Sequence, residues 1–363
     1  MARKGGGRFS GYDPALENAV FEFQKSTYPE RNQETIADQW RWMLVESAQR
    51  LQAPPSVWLY LKDDAVLAHQ GAIPIDLHTE GERLRTGWFV ETMAASGIRG
   101  SAIGPMVIKK ALEDMNLSLS LGQNEQMRQI QFALGWEQIC ALTKYVFVCG
   151  YGMNLRGKLP PGLAEVAAFS LGVAGRRKTR RAESTARGSY SSHHVHRFGE
   201  AHDALWERMA ASCSCAAKRD ASYLNWKYFD RPAARFEAIE VRDDDRVVGT
   251  VVTKLESPSD VYPYRRGVLV DFVVPLDDAA AQIALLAYSI RHLEQAGAQT
   301  VICQISNPAL ERTLTQFGFR PRGEGHQFLI YALGVDEGVA TSLRSPENWL
   351  LTLGDSDADN YPD

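Results

Sequence analysis

The chain contains an approximate internal repeat, and this repeat limits the fold more than any other feature of the sequence. A shift of 180 residues places Lys62-Asp63-Asp64 on Arg242-Asp243-Asp244, two charged turns that each follow a hydrophobic segment. The same shift places Trp88–Glu91 on Val268–Asp271, so a carboxylate follows three hydrophobic residues in both halves. The charged turn alone would be a chance match, but the shared order of segments favours a duplicated domain.

Each half predicts the same succession of secondary-structure elements. A hairpin leads into the strand that carries the carboxylate, and a helix, a short strand and a second helix follow. The second helix ends at a glycine and an aromatic residue, Gly135-Trp136 in the first half and Gly318-Phe319 in the second. The sequence therefore predicts an α/β (α+β) protein with two tandem domains, each a mixed, mostly antiparallel twisted sheet flanked by helices.

Changes in composition set the domain boundaries. Residues 176–181 are almost all basic, which is typical of a solvated linker. A phosphate or nucleic-acid patch is the alternative, and the absence of interleaved aromatic residues argues against it. We expect a disordered lead-in at 1–12, domains at 13–160 and 191–335, a basic linker region at 161–190, and an acidic, solvated tail at 336–363.

Composition excludes several classes of protein. The length of 363 residues suits two domains, and a net charge of −4 gives no reason to expect nucleic acid or an anionic membrane as the main partner. No hydrophobic segment is long enough to span a membrane, and the N-terminus lacks the apolar core of a secretory signal. Five cysteines without disulfide spacing indicate a reduced cytoplasm.

The segment Gly97–Gly104 (Gly-Ile-Arg-Gly-Ser-Ala-Ile-Gly) is the strongest candidate for a binding site. It lies between a predicted strand, Thr86–Met93, and a predicted helix, Pro105–Asp114. Unpaired N–H groups at a helix N-terminus attract anions, and small residues let a phosphate approach the backbone. Arg99 adds a cationic donor. The alternative is a tight connection without a ligand, and the segment matches neither a P-loop nor a dinucleotide fingerprint.

Two motifs resemble the GCN5-related N-acetyltransferase (GNAT) superfamily. Arg99–Gly104 is similar to its acyl-CoA loop, with Ala102 where glycine is usual, and the segment from Asn124 to Gly135-Trp136 is similar to its Asn…Gly-Phe segment. The likeness covers roughly residues 57–148 and 236–331. The segments Arg219–Trp226 and Trp349–Asp357 resemble tandem acetyltransferases of bacterial polysaccharide gene clusters. In the second half, Val274–Asp278 replaces the loop without glycine or arginine, so the first half is expected to bind the ligand.

The resemblance implies an N-acyltransferase that uses acyl-CoA, with acetyl-CoA as the expected donor and no metal. It implies that the backbone around Met93 and Ala95 polarises the thioester and that Glu91 is the general base. Tyr145 is the substitute for the family's usual tyrosine, whose place holds Gln131. The cofactor-binding residues are expected to be Met93, Ala95, Arg99, Gly100, Ser101, Ala102, Ile103, Gly104 and Asn124. Asp271 and His69 are candidates for acceptor binding.

Each assignment has an alternative. Glu91 also fits a half-exposed strand residue paired with a basic neighbour, and His69 fits a structural histidine. The acceptor is expected to be a small amine or an amino sugar. Two other functions stay open: an aminoacyl-tRNA-dependent peptide-bridge transferase, and a CoA-binding sensor or scaffold without turnover. The sequence leaves the oligomeric state open, a homodimer included.

Overall fold

The structure is a computed structural model that describes residues 7–79, 82–149, 189–233 and 235–360. Its strands are β1 (Arg8–Ser10), β2 (Ser56–Lys62), β3 (Ala65–Thr79), β4 (Glu82–Ala94), β5 (Leu117–Leu121), β6 (Glu137–Val148), β7 (Ser191–Val195), β8 (Cys215–Ala217), β9 (Glu237–Asp243), β10 (Arg246–Glu256), β11 (Arg266–Val273), β12 (Thr300–Ser306), β13 (Arg320–Ala332) and β14 (Leu351–Thr352). Its α-helices are α1 (Glu17–Thr27), α2 (Ile36–Trp40), α3 (Ser47–Arg50), α4 (Ile103–Glu113), α5 (Glu125–Ala133), α6 (Glu200–Ala210), α7 (Ala221–Leu224), α8 (Ala279–Gln295), α9 (Pro308–Phe317) and α10 (Glu337–Leu343).

The chain divides into two compact units. Unit 1 comprises Met1–Cys140, Trp226–Ala234 and Gln327–Arg344, and unit 2 comprises Ala141–Asn225, Arg235–His326 and Ser345–Asp363. Both units are therefore discontinuous in sequence, whereas consecutive domains were expected. The mixed, mostly antiparallel sheet with flanking helices confirms the predicted fold class. Within the described residues, no helix is long and apolar enough to cross a membrane.

In unit 1 the sheet has the order β1, β2, β3, β4, β5 and the later part of β13. All neighbours are antiparallel except β4 and β5, which are parallel and paired at Trp88 and Leu119. Helix α4 packs on this sheet with a wholly apolar stripe, in which Val107 and Ala111 are fully buried. Below it, Phe89 meets Trp136 edge to face with centroids 5.2 Å apart. Burial of this aliphatic and aromatic core fixes the ends of β4 and β5 relative to α4.

In unit 2 the order is β7, β9, β10, β11, β12 and the later part of β6. The only parallel neighbours in this described sheet are β11 and β12, where Gly267 pairs with Val301. An added Cβ at Gly267 would lie 2.7 Å from Leu293 of α8, so this helix sits directly on the strand. Strands β2 to β5 of unit 1 and β9 to β12 of unit 2 thus share one order, in which two antiparallel pairings are followed by a parallel one, and the third strand of each set carries Glu91 or Asp271.

The two termini differ from expectation. Arg8–Ser10 of the expected lead-in forms a strand that pairs with β2, so disorder over 1–12 is wrong for these residues. The expectation of a solvated tail is also wrong: Trp349 and Asp355 are 0% exposed. The Asp355 carboxylate accepts a hydrogen bond from Arg219 at 2.7 Å, which offsets the cost of burying its charge. The basic stretch 176–181 and almost all of the expected linker lie outside the described residues.

Candidate functional site

A β-bulge interrupts strand β4 at Glu91. His69 of β3 faces Met93 and Gly71 faces Val90, so Glu91 and Thr92 together face a single residue of β3, Gln70. Glu91 has φ +54, a left-handed conformation that a non-glycine residue adopts at a cost of about 1–3 kcal/mol. The bulge redirects the backbone after Glu91, and its surroundings must hold it there.

His69 holds the bulge from beneath. Its Nδ1 lies 2.8 Å from the Glu91 carbonyl oxygen, and its Nε2 lies 3.1 Å from the Trp40 indole nitrogen. Because an indole N–H only donates, Nε2 accepts and Nδ1 carries the proton. His69 is 0% exposed, and this burial lowers the pKa of its imidazole, which stays neutral. The expectation that His69 binds an acceptor is wrong, since both ring nitrogens are engaged inside unit 1.

The Glu91 carboxylate is paired with a cation from the connection between α1 and α2. Arg31 donates to it at 2.7 Å, and the side chain of Glu91 is 9% exposed. Arg31 also lies over the ring of Tyr28, with its guanidinium carbon 4.8 Å from the centroid. The predicted basic neighbour therefore exists. It orients the carboxylate of Glu91, the residue that forms the bulge together with Thr92.

A cavity of about 540 Å³ opens at the carboxyl ends of β4 and β5, beside the N-terminal turn of α4. Six of the predicted cofactor-binding residues line it: Met93, Arg99, Gly100, Ser101, Gly104 and Asn124. The remaining three, Ala95, Ala102 and Ile103, do not. Ten residues that were not predicted as site residues also line the cavity: Tyr28, Thr92, Ala94, Ile98, Pro105, Ile108, Gln126, Met127, Gln129 and Ile130.

The predicted loop is shorter than expected because α4 begins at Ile103, two residues before Pro105. Gly104 is therefore in the first helical turn, where N–H groups have no intrahelical acceptor. An added Cβ at Gly104 would meet no atom within 4 Å, so the backbone faces open space there. Gly100 adopts φ +79, a conformation that glycine reaches without strain. Arg99 donates to the Ala94 carbonyl oxygen at 3.3 Å, which anchors the loop to the end of β4.

Comparisons of the sequence and of the structure give different answers. No family model matches the sequence, and no curated protein is similar to it by sequence. The structure is similar to a GCN5-related N-acetyltransferase from Anabaena variabilis, with a TM-score of 0.62 and 11% identity over 90% of this chain and 73% of that one. The chain has the GNAT fold.

Two further structures support the same fold. A GCN5-related N-acetyltransferase from Kribbella flavida has a TM-score of 0.58 and 15% identity over 92% of this chain and 73% of that one. N-myristoyltransferase from Saccharomyces cerevisiae, with bound myristoyl-CoA, has a TM-score of 0.54 and 10% identity over 92% and 83% of the two chains. The resemblance to the GNAT fold inferred from two short motifs is thereby confirmed across the chain.

Two other predicted site residues of this GNAT fold lie in unit 2 and have structural partners there. Asp271 is buried and accepts from Arg219 at 2.9 Å and from Thr352 at 2.8 Å, so its expected role in acceptor binding is wrong. Tyr145 donates to Glu311 at 3.1 Å and does not line the cavity. Glu91 does not line it either, but the two residues that follow it, Thr92 and Met93, do. Burial and the Glu311 carboxylate raise the pKa of Tyr145 to about 12.

The place of the GNAT family's usual tyrosine holds a buried amide. Gln131 donates to the Ser120 hydroxyl at 2.9 Å and does not line the cavity. The structure therefore places neither Gln131 nor Tyr145 at the cavity as a proton donor. Among the described residues, no group of three or more His, Cys, Asp or Glu side chains is arranged to hold a metal ion.

The neutral state of His69 makes stability depend on pH. Because burial lowers the pKa of His69 below that of the unfolded chain, near 6.5, the unfolded chain binds a proton that the folded chain does not. The free energy of unfolding should therefore fall below about pH 6.5, by up to about 1.4 kcal/mol per pH unit from this residue. Urea unfolding at pH 7.5 and 5.5 measures the decline. The decline in the free energy of unfolding should be smaller in His69→Gln than in the wild type. Substitution of the exposed His196 by glutamine should leave the decline unchanged. An equal decline in both variants would contradict the assignment.

Proposed function

We propose that the protein is an acyl-CoA-dependent N-acyltransferase, with acetyl-CoA as donor and a small amine or amino sugar as acceptor. One observation carries the proposal. A single cavity joins the open first turn of α4, at Gly104, to the bulged backbone that follows Glu91. The first of these features would hold the phosphates of a nucleotide thioester, and the second directly follows a carboxylate that could act as a base.

The residues of the cavity fit CoA in both charge and polarity. In the first turn of α4, Pro105 has no N–H, and the N–H groups of Ile103 and Met106 donate to the Ser101 hydroxyl and the Ala102 carbonyl oxygen. The Gly104 N–H is left for a ligand and Arg99 supplies a cation, so the two would hold the pyrophosphate. No side chain at Gly104 blocks the approach of a phosphate to this backbone. Ile108, Met127 and Ile130 form an apolar wall that suits the pantetheine arm.

The same geometry assigns roles in the reaction. The Glu91 carboxylate would accept the proton of the attacking ammonium, directly or through water, and Arg31 orients it. The amine nitrogen then attacks the thioester carbon. Backbone N–H groups near Met93 would stabilise the negative charge on the carbonyl oxygen. The C–S bond breaks as the amide forms, and the thiolate leaves without an obligatory acid because a thiol has a pKa near 8.5.

Calorimetry tests the donor. The full chain is titrated with CoA, acetyl-CoA and myristoyl-CoA, and we expect acetyl-CoA and CoA to bind to the wild type. Arg99→Glu should abolish this binding because it reverses the charge that faces the pyrophosphate, while circular dichroism shows an unchanged fold. Arg128→Glu is the matched control, because Arg128 is a half-buried residue of α5 that lies outside the cavity lining. If only myristoyl-CoA binds, the donor is a long-chain acyl-CoA and not acetyl-CoA. No binding by any of the three would remove acyl-CoA as donor.

An acceptor screen separates an enzyme from a sensor. Amino sugars and amino acids are added with acetyl-CoA, and the released thiol is measured. Turnover with any of these amines supports the proposal. Tight CoA binding without turnover across the screen would instead favour a CoA-binding sensor.

We also infer that the two units arose by duplication of one domain. In each of them two antiparallel pairings precede a parallel one, and a carboxylate lies on the third of the four strands, Glu91 in β4 and Asp271 in β11. These matched orders support the repeat found in the sequence. On this proposal the second copy has turned its carboxylate inward, toward Arg219.

A further inference from the structure

We infer that unit 2 contains a second ligand site, independent of the acyl-CoA cavity, for a small organic anion that carries a ring. The site is a cavity of about 330 Å³ lined by residues of β6, β11, β12 and β13. Nothing in the proposed acyl transfer uses these residues. The inference therefore stands even if the unit 1 cavity proves to bind no CoA.

The charges of this cavity are unbalanced. Lys144 and Arg322 both line it, and neither forms an ion pair with any acidic residue in the part of the chain that the structure describes. The third cation, Arg266, is buried and is already paired with Glu256 at 2.5 Å. Two positive charges therefore remain to bind a ligand, and they come from different strands.

A buried hydroxyl in the same cavity lacks a partner. Thr300 is 4% exposed, and its Oγ1 has no hydrogen-bond partner within the described residues. A buried polar group without a partner is costly and needs an explanation. A polar atom of a ligand in this cavity supplies one, because Thr300 forms part of the cavity wall.

The aromatic residues indicate the rest of the ligand. Tyr262 and Tyr264 line the cavity with ring centroids 6.2 Å apart, and Arg266 covers the Tyr262 ring at 3.7 Å. Tyrosine rings offer a flat, amphipathic surface to another ring. The volume suits a molecule of about one or two rings. The chemistry therefore selects a ring compound with one phosphate or carboxylate, such as a sugar phosphate or a uronic acid.

Calorimetry of the full chain tests the site with three probes that share a nitrophenyl ring. These are 4-nitrophenyl phosphate, 4-nitrophenyl glucuronide as the carboxylate and 4-nitrophenyl glucoside as the neutral control. We expect at least one anion to bind at millimolar or lower Kd, and the glucoside to bind at least tenfold more weakly. The anion that binds more tightly identifies the acidic group. Absence of binding by both anions, or equal binding of the glucoside, would overturn the inference.

Variants locate the binding. Lys144→Ala and Arg322→Ala should each raise the Kd of the tighter-binding anion about tenfold or more, because each removes a charge-assisted contact. Arg320→Ala is the matched control, since Arg320 is exposed on the same strand and does not line the cavity. It should change Kd less than about twofold. Equal effects of Arg320→Ala and Arg322→Ala would show nonspecific attraction and would overturn the site.

Thr300→Val provides a readout in two directions. It replaces the hydroxyl by a methyl group of the same shape and removes a polar group that lacks a partner. We expect an unchanged or higher Tm in the absence of ligand, together with anion binding about three- to tenfold weaker than in the wild type. A lower Tm with unchanged binding would mean that the hydroxyl has a structural partner, and would contradict its role in the site.

Discussion

Replacing Glu91 by glutamine is expected to lower kcat for acyl transfer by about 10²–10⁴-fold, while Kd for acetyl-CoA changes less than about twofold. The substitution preserves the size of the side chain and removes its charge. An amide oxygen can still accept from Arg31, which now donates at 2.7 Å, so the orientation should persist. The amide cannot take the proton of an attacking ammonium, and the loss therefore falls on turnover.

The bulge itself should survive this substitution. The left-handed backbone at Glu91 is held by its carbonyl oxygen, which accepts from His69 at 2.8 Å, and by the register with β3. Neither contact involves the carboxylate. The N–H groups after the bulge should therefore keep their positions, and donor binding with them.

Glu17→Gln provides the control. Glu17 pairs with Arg41 at 2.9 Å, also in unit 1, and lies outside the cavity lining. Both variants thus remove one carboxylate from an arginine pair. Steady-state rates of thiol release, with the acceptor found in the screen, compare them. If Glu91→Gln keeps the rate of Glu17→Gln, then Glu91 is only the strand residue with a basic partner that the sequence also allowed.

Local sequence patterns predicted much of the first site. Gly100 and Gly104 could be predicted from the local sequence, because a strand–turn–helix connection is encoded within about twenty residues. Asn124, which was also predicted to bind the cofactor, lines the cavity. It is the N-cap of α5, and its side chain accepts from the Met127 N–H at 2.9 Å. Such caps are local and can be predicted.

The errors involve partners that are distant in sequence. Arg31 and Tyr28 lie in a polar connection without a motif. Arg31 pairs with Glu91, sixty residues later, and Tyr28 lines the cavity together with the Gly97–Gly104 loop, and no periodicity predicts either proximity. Asp271 was expected to bind an acceptor, and Asp355 was expected to lie in a solvated tail. Both are neutralised by Arg219, whose distance along the chain hides the pairing. The bulge at Glu91 likewise depends on register, which a strand pattern does not specify.

Substitutions at Gly104 are expected to change stability and CoA binding in opposite directions. Glycine inside a helix costs about 0.5–1 kcal/mol relative to alanine, and an added Cβ at Gly104 meets no protein atom within 4 Å. Gly104→Ala should therefore raise the free energy of unfolding by about that amount. Gly104→Glu should also be tolerated, because a carboxylate in the first turn of α4 interacts favourably with the helix dipole.

The same two substitutions should weaken CoA binding, because the added side chain fills the open space beside the helix backbone. The open space at Gly104 is where the proposed pyrophosphate would approach the backbone, so a methyl group should weaken CoA binding about tenfold. A carboxylate should repel the phosphates and compete for the N–H groups of the turn, lowering affinity by about 100-fold or more. Calorimetry with CoA and urea unfolding measure the two effects on the same variants.

Gly97→Glu separates this effect from a general change of charge. Gly97 is exposed, lies in the same loop outside the cavity lining, and also has no atom within 4 Å of an added Cβ. The Kd of the Gly97→Glu variant for CoA should lie within about threefold of the wild-type value. A Gly104→Glu variant that is as stable as the wild type and binds CoA equally well would place the phosphates elsewhere. The first turn of α4 would then be only a structural connection, and the glycine at position 104 would have no role in binding an anion.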